Sequence, residues 1–253
     1  MSALDRGFDT YKDKYEHVRL ERRDGILEAR IHTNGGSLKW CGTAHDELGF
    51  CFADIAHDPE NKVLILTGEG DTFCDDVDPS SFGEFSARGM LHMHEAGMRL
   101  IENLLKIPVP VIGAVNGPAH IHAELLLLSN IVIASDDATF QDKVHFPMEI
   151  VPGDSVHVAW PLLLGNTRGS YFLLMGETMD VRKAFDFGIV HEFLPKQEVL
   201  GRAWEIAGQI AAKPVMASRY SRLLLVQELK RQMQNDLSHG LLAECLAMLD
   251  QQS

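Results

Sequence analysis

Positive charge is scarce in this sequence. Its 253 residues contain 23 Lys and Arg against 36 Asp and Glu, which gives a formal net charge of −13. Nucleic acids and anionic membrane surfaces bind proteins through cationic faces, because both carry dense negative charge. The shortage of cations therefore argues against nucleic acid and against a membrane surface as partners.

Long apolar runs and paired cysteines are missing as well. The most apolar stretch, residues 125–134, is interrupted by Ser129 and Asn130 and is too short to span a bilayer. Residues 1–15 mix Asp, Lys and Arg without an apolar centre, which is unlike a signal peptide. The cysteines lack metal-site spacing, so we expect reduced thiols and a cytoplasmic protein. They are Cys41, Cys51, Cys74 and Cys245.

What the chain does contain is an alternation of strand-like and helix-like segments. Two alternating runs around Arg23-Asp24-Gly25 predict a hairpin. Its strands span residues 17–22 and 26–32, and further strands are predicted at 63–67, 111–115 and 131–134. Helices are predicted at 44–56, 87–105 and 122–128. The alternation predicts an α/β fold with one core, over residues 1–195.

The pattern changes after Pro195 to helices alone. These are predicted at residues 199–211, 214–233 and 236–249. We therefore expect a separate helical region at residues 196–253, whose exposed faces are candidates for contact with a neighbouring subunit.

Three short motifs in order along the chain indicate a family. Residues 110–125 read as a buried strand, a turn at Asn116-Gly117-Pro118 and a helix start. Residues 70–78 form a second motif, and Ala138-Thr139-Phe140 followed by Val151-Pro152-Gly153 a third. Together they resemble the crotonase (enoyl-CoA hydratase/isomerase) superfamily. The resemblance implies the crotonase fold, a spiral of ββα units with a C-terminal helical trimerisation region, and a homotrimer or dimer of trimers.

The chain departs from this family where the family's chemistry is carried out. The superfamily pattern has three glycines at the places of Ile121, His122 and Ala123, and Ala-Gly at the place of Asp75-Asp76. In the family, backbone N–H groups there form an oxyanion hole for a CoA thioester, and a side chain would crowd its carbonyl. An imidazole and two carboxylates stand here instead. They indicate different chemistry, and few cations are available for the phosphates of CoA.

Within the superfamily, a set of polar residues resembles the CoA-independent β-diketone hydrolases of the 6-oxocamphor hydrolase type. The set is Trp40, His45, His122, His145, Asp154 and Glu244. The resemblance implies hydrolysis of a C–C bond in a cyclic, bicyclic and non-enolisable β-diketone to a keto acid. This retro-Claisen reaction requires no cofactor and no metal, because the second ketone accepts the electrons.

The same resemblance suggests a role for each member of the set. A His beside an Asp can serve as a base near neutral pH, so we expect His145, oriented by Asp154, to activate water. Trp40 and His122 would hold the oxyanion. His45 with Glu244 would position the water or activate it in place of the first pair.

Other interpretations remain open on the sequence alone. A hydratase, isomerase or thioesterase acting on CoA thioesters would keep the same fold, and so would a non-catalytic binding protein. His120, His122 and Glu124 could be metal ligands on a strand, although a helix start would splay them. His122 could fill a gap in the core, and Asp154 could cap a helix beginning at Ser155.

Overall fold

The computed structural model describes residues 7–251. Parts of the expectations for residues 1–15 and 196–253 lie outside this range. The strands are Val18–Arg23 (β1), Ile26–Ile31 (β2), Leu38–Trp40 (β3), Val63–Gly68 (β4), Cys74–Val77 (β5), Val111–Val115 (β6), Ile131–Ser135 (β7), Thr139–Phe140 (β8), Met179–Asp180 (β9) and Glu192–Leu194 (β10). The α-helices are Gly42–His57 (α1), Ala87–Lys106 (α2), Glu124–Leu127 (α3), Val156–Leu164 (α4), Asn166–Met175 (α5), Val181–Asp186 (α6), Lys196–Ala211 (α7), Val215–Leu225 (α8) and Gln227–Asp250 (α9).

The central sheet has six strands in the order β1-β2-β4-β6-β7-β10. β1 and β2 are antiparallel, and the other neighbouring pairs are parallel. Asp24 and Gly25 join the first two strands with φ of 53° and 84°, the positive values that a two-residue hairpin turn requires. The predicted hairpin, the three later strands and the α/β class are therefore confirmed.

The middle strands are buried on both faces of the sheet. In β4, Leu64 and Leu66 belong to the main core, whereas Val63 and Ile65 pack on the opposite side. Alternate side chains of a strand point to opposite faces, so both faces of β4 need an apolar cover. An uninterrupted β-branched and aliphatic run is the sequence that such a strand requires.

Helices provide this cover. α1 and α2 pack against each other, and Leu48 and Phe52 of α1 are buried in the main core. On the other face, α7 packs through Val199, Ala203 and Ala207, which lie four residues apart on one stripe of the helix. The predicted boundary before α7 thus marks a change from strands to helices, but this helix belongs to the same packed unit as the sheet.

The C-terminal helix α9 returns to the main core. It packs on α2 and α4, and its Leu237 and Leu241 are buried there. Gly153 and Gly240 allow close approach to the loop before α4, since a Cβ at Gly153 would lie 2.2 Å from the Gly240 carbonyl oxygen. This contact brings Glu244, one turn further along α9, next to the same loop.

Two predicted helices have different bounds in the structure. The helix expected at 122–128 is a single turn, Glu124–Leu127, because His122 has a left-handed φ of 51° and cannot be part of a right-handed helix. The last two helices were expected to break between residues 233 and 236, but the break lies at Val226, whose φ and ψ are −94° and 1°. Asn235 and Asp236 lie inside a continuous helix.

Local structure near the site fixes Trp40 and Asp154. Trp40 ends β3, which pairs with β5 in a small parallel sheet. The alternative that Asp154 caps a helix is not realised, because Ser155 occupies the N-cap position of α4 and makes no side-chain cap hydrogen bond. The Asp154 carboxylate is therefore free for another role.

None of the helices within residues 7–251 could span a bilayer. Cys41 is partly buried, Cys51, Cys74 and Cys245 are buried, and all four are free thiols.

Candidate active site

One cavity brings the whole predicted set together. It has a volume of about 230 Å³ and lies between β3, α1, the turn after β6, the loop before α4, and α9. Its polar lining consists of Trp40, His45, His122, His145, Asp154, Glu244 and Gln251. The six residues of the predicted set, which are spread between positions 40 and 244, thus face one small space.

Five buried groups in this region alternate between carboxylate and imidazole. Asp142 Oδ1 lies 2.6 Å from His145 Nδ1, and His145 Nε2 lies 3.2 Å from Asp154 Oδ1. Asp154 Oδ2 lies 3.3 Å from His122 Nε2, and His122 Nδ1 lies 2.7 Å from Glu124 Oε1. We call this row, from Asp142 to Glu124, the acid–imidazole chain. Its two outer contacts are hydrogen bonds, and its two inner contacts are ion-pair contacts around Asp154.

Each histidine of the chain contacts a carboxylate at both ring nitrogens. Asp142 Oδ1 lies at hydrogen-bond distance from His145 Nδ1. Asp154 lies on the Nε2 side, which is the side of the cavity. Glu124 contacts His122 at Nδ1 in the same way. In the sequence, Asp142 lies three residues before His145 and Glu124 two residues after His122. Neither spacing is specific for such a contact.

His122 holds a backbone conformation that suits glycine. Its φ is 51°, in the left-handed region, where a non-glycine residue costs about 1–2 kcal/mol. Glycine, which the crotonase pattern has at this place, adopts such a φ without strain. Strain of this kind persists where the surroundings stabilise it and clusters at functional sites. Here Glu124 binds the ring, and the Trp40 ring lies over it with centroids 3.8 Å apart.

Charges in the chain shift one another's pKa. Burial disfavours the charged imidazole of His145, but the Asp154 and Asp142 carboxylates outweigh it and raise its pKa well above the usual value. In the same way, burial opposes but Asp154 and Glu124 raise the pKa of His122. Although burial acts in the opposite direction, the two imidazoliums lower the pKa of Asp154 to about 2. These shifts favour a charged Asp154 carboxylate between two protonated imidazoles.

Glu244 and His45 have the opposite character. Burial, together with the Asp154 charge, raises the pKa of Glu244 to about 8. Burial and the His122 charge lower the pKa of His45 to about 4. At neutral pH, Glu244 is thus a protonated acid whose Oε1 lies 3.8 Å from His145 Nε2. His45 is a neutral ring that contacts Trp40 and Phe82 edge-on, at centroid distances of 5.8 and 6.2 Å, and lies 6.4 Å from the His122 ring. His45 and Glu244 both line the cavity.

The two carboxylates at 75 and 76 do not reach the cavity. Asp75 accepts a hydrogen bond from His120 Nδ1 at 2.7 Å and pairs with Lys143. Asp76 is exposed and lies 3.5 Å from Lys39. These residues stand at the place of Ala-Gly in the family pattern. They belong to the surface, and the charge of the site comes from the acid–imidazole chain.

The remaining wall of the cavity is apolar. It is formed by Val77, Pro79, Phe82, Phe85, Met93, Val144, Met148, Ile150, Leu241 and Met248. Gln251 closes one side by donating to the carbonyl oxygens of Met148 and Glu149, both at 3.0 Å. Among the described residues, no Lys or Arg lines this cavity. A compact, uncharged and largely apolar ligand therefore fits best.

A larger groove of about 820 Å³ lies elsewhere, beside α5 and α6. It is open and is lined by Arg168, Tyr171 and Lys183 among others, but it contains no histidine. Perturbed ionisable groups that converge in a cleft are a better guide to an active site than volume. We therefore assign the site to the smaller cavity.

Two overlapping groups in the site have the composition of a metal site. They are His122, Glu124 and Asp154, and His145, Asp154 and Glu244, whose ligand atoms lie within 4.8 Å of one another. One imidazole with two carboxylates could hold a divalent cation. An ion would have to displace imidazole protons that the carboxylates already accept. The hydrogen bonds and ion-pair contacts of the acid–imidazole chain account for this arrangement of side chains without a metal ion.

Comparison with known proteins gives a consistent family. The family model described as enoyl-CoA hydratase/isomerase matches residues 27–251. The chain is similar to the carnitinyl-CoA dehydratase of Citrobacter koseri, with 31% identity over 206 residues, 80% of this chain and 77% of the relative. The same enzyme of Shigella flexneri is 29% identical over 206 residues, with the same coverage.

Among solved structures, the chain is similar to a β-diketone hydrolase from the cyanobacterium Anabaena sp. PCC 7120, bound to (S)-3-oxocyclohexyl acetic acid. The identity is 40%, the TM-score is 0.94 and both chains are covered completely. An enoyl-CoA hydratase/isomerase from Mycobacterium paratuberculosis shares the fold at 21% identity, with a TM-score of 0.87 and 94% and 95% of the two chains covered. The expected crotonase fold, and the resemblance to β-diketone hydrolases within it, are confirmed.

Proposed function

The chain belongs to the enoyl-CoA hydratase/isomerase family, and from this premise we propose that it is a hydrolase of cyclic β-diketones. The observation that carries the proposal is the acid–imidazole chain beside a small apolar cavity. His122 projects an imidazole from the left-handed turn where the family pattern has glycine. A set of protonated donors around a carboxylate suits a substrate with two carbonyl oxygens and no charge of its own.

The similar Anabaena hydrolase suggests the substrate class. Its bound ligand is a keto acid. The ketone of that ligand has two neighbouring ring carbons. A bond from the carboxyl carbon to the neighbour that lies further from the acetic acid substituent, formed with loss of water, gives bicyclo[2.2.2]octane-2,6-dione. A compact bicycle of this kind suits a cavity of about 230 Å³. Sites for drug-sized ligands are usually larger, roughly 300–1,000 Å³.

The reaction begins with attack of water on one carbonyl carbon. Neutral His145 accepts a proton from this water at Nε2, while its Nδ1–H remains bound to Asp142. Asp154 stabilises the imidazolium that forms. Below its raised pKa, His145 is cationic and cannot accept the proton, so kcat/KM should rise from neutral to alkaline pH.

The oxyanion and the leaving carbon are then stabilised separately. Trp40 and cationic His122 provide N–H donors to the tetrahedral oxyanion in place of the backbone hole of the family. Collapse of the tetrahedral intermediate breaks its bond to the carbon between the two carbonyls. The electron pair of that bond becomes the enolate of the second ketone. His145 returns its proton to that carbon, so that diketone and water yield one keto acid. When the two carbonyls are equivalent, attack on only one of them gives a chiral product.

His145 is a better base in this site than His45. Its carboxylate partners give His145 a raised pKa, whereas burial lowers that of His45 to about 4. A weakly basic ring gains little from accepting the proton of water. His45 and protonated Glu244 therefore position the water or the substrate.

A second candidate function is catalysis on a CoA thioester. The similarity to carnitinyl-CoA dehydratases favours it. The His122 side chain at the place of the family's middle glycine, and a cavity wall without Lys or Arg, disfavour it. For either activity we propose a homotrimer or dimer of trimers, supported by exposed apolar residues on α8 such as Leu224 and Leu225, which are 70% and 73% exposed.

Turnover assays without CoA separate the two candidates. Bicyclo[2.2.2]octane-2,6-dione and a monocyclic 2,2-disubstituted 1,3-diketone are incubated with the protein, and the keto acids are followed by chiral chromatography. Crotonyl-CoA and carnitinyl-CoA are assayed in parallel. We expect one enantiomer of the keto acid from the bicycle and no change in either thioester. Turnover of a thioester without cleavage of any diketone would support the second candidate instead.

A further inference from the structure

Asp142 lies behind the site, outside the cavity lining. It is only 4% exposed, and its Oδ1 is 2.6 Å from His145 Nδ1. Its Oδ2 is buried and has no hydrogen-bond partner among the described residues. Burying a carboxylate in this way costs free energy unless a charged partner offsets it. The imidazole of His145 is the only group within ion-pair distance of Asp142 among the described residues.

The loop that carries both residues is held in place by backbone hydrogen bonds. Gln141 N–H donates to the Ala119 carbonyl at 3.3 Å and Lys143 N–H to the His120 carbonyl at 3.0 Å. The His145 carbonyl accepts from Met148 and Ile150, both at 2.9 Å. The separation of Asp142 and His145 is therefore set by the fold. A neutral residue at 142 would have to face the same ring nitrogen.

This geometry decides which nitrogen of His145 carries the proton in the neutral ring. Two carboxylates compete for it, Asp142 at Nδ1 and Asp154 at Nε2. The Nδ1 contact is a 2.6 Å hydrogen bond, whereas the Nε2 contact is an ion-pair distance of 3.2 Å and leaves Asp154 Oδ1 without a hydrogen-bond partner. The proton therefore stays on Nδ1, and the lone pair of Nε2 faces the cavity.

We propose that Asp142 is the positioning residue of His145, which it holds in the tautomer that can accept a proton from water. Asp142 acts only through His145 and does not touch the substrate. The catalytic consequence rests on the proposed hydrolase function, but the tautomer and the charge of His145 do not. Glu124 stands in the same relation to His122 at the other end of the acid–imidazole chain.

Five ionisable groups interact with His145: Asp142 from its own loop, Asp154 from the loop before α4, His157 from α4, Glu244 from α9 and His122 from the turn after β6. Asp142→Asn removes one of the two anions that favour the imidazolium. The pKa of His145 should therefore fall, and the alkaline rise of kcat/KM should move to lower pH. At the same time the asparagine amide can donate to Nδ1, which favours the wrong tautomer. We expect the plateau of kcat to fall at least tenfold with KM changed less than threefold.

The experiment combines pH–rate profiles with NMR of the histidine rings. Ring-¹⁵N histidine labelling, assigned with His145→Gln, reports both the tautomer and the titration of His145 without any substrate. Asp75→Asn is the matched control, because it breaks a 2.7 Å Asp–His contact of the same kind outside the cavity. Asp142→Glu keeps the anion, so its rate profile should stay near the wild-type position. Should Asp142→Asn not fold, Asp142→Glu still tests the role of the anion. A loss of the Nδ1–H tautomer of His145 in Asp142→Glu would then contradict the proposal.

The outcomes separate the two proposals. A lower His145 pKa and a shift from the Nδ1–H to the Nε2–H tautomer in Asp142→Asn, with Asp75→Asn unchanged, support the positioning role. An unchanged titration and tautomer would overturn it, even when turnover falls. Absence of diketone turnover by the wild-type protein would refute the hydrolase proposal and leave the NMR result interpretable.

Discussion

Replacement of His145 by alanine should lower kcat/KM for the bicyclic diketone by a factor of at least about a hundred. General bases typically contribute about 10²–10⁴ in rate, and this ring is the most basic group on the cavity wall that can accept a proton from water. The change also leaves Asp142 buried without its cationic partner. Steady-state assays across the pH range, together with thermal melting, separate the loss of the base from a loss of folded protein.

His92→Ala is the control for this substitution. The His92 side chain is 69% exposed and lies outside the cavity. Its loss should leave kcat/KM within about twofold, since surface substitutions usually have small effects. A His145→Ala protein that melts like the wild type and retains more than a tenth of its activity would show that another group activates the water. His45 would then be the next candidate, because it is the remaining neutral imidazole of the cavity wall.

His122→Ala should lower kcat by about 10²–10³ with a small change in KM. Loss of one oxyanion donor typically has an effect of this size, and the oxyanion exists only in the transition state and intermediate. The cationic ring lies against Trp40 and is fixed by Glu124, so it is preorganised for this role. The measurement is kcat and KM for the same diketone at the pH optimum.

His122→Asn provides a graded comparison. Asparagine tolerates the left-handed backbone found at this position and keeps an N–H donor, but it cannot carry the positive charge. Its activity should lie between those of the wild type and His122→Ala. Equal kcat values for all three proteins would remove His122 from the oxyanion site. The stabilisation would then have to come from Trp40 or from backbone donors.

The sequence predicts the sheet well because its signals are local. Residues 63–67 and 111–115 are nearly uninterrupted apolar runs, and every residue of both runs is buried in the fold. The hairpin is signalled by Asp24 and Gly25, which tolerate positive φ. Helix ends near the site are predicted less well, since the left-handed turn at His122 is imposed by the surroundings and not by its own propensity.

The site is predicted in part. The six residues identified by family resemblance line one cavity, although they come from six separate segments of the chain. Asp142 and Glu124 are missed because their role depends on which ring nitrogen they face, and residue spacing does not reveal that. The prediction that Asp154 orients His145 depends on the same detail, since Asp154 faces Nε2 whereas Asp142 faces Nδ1. An Asp next to a His in space can lie on either side of the ring.

Hydrolysis in H₂¹⁸O shows whether water attacks the diketone carbonyl. The wild-type protein is incubated with bicyclo[2.2.2]octane-2,6-dione in labelled water, without CoA, and the keto acid is analysed by mass spectrometry. We expect one ¹⁸O atom in the new carboxyl group of each product molecule. Label that enters the ketone oxygen by exchange is measured separately and subtracted. Failure to form the keto acid, or a carboxyl group without solvent oxygen, would contradict the proposed hydrolysis.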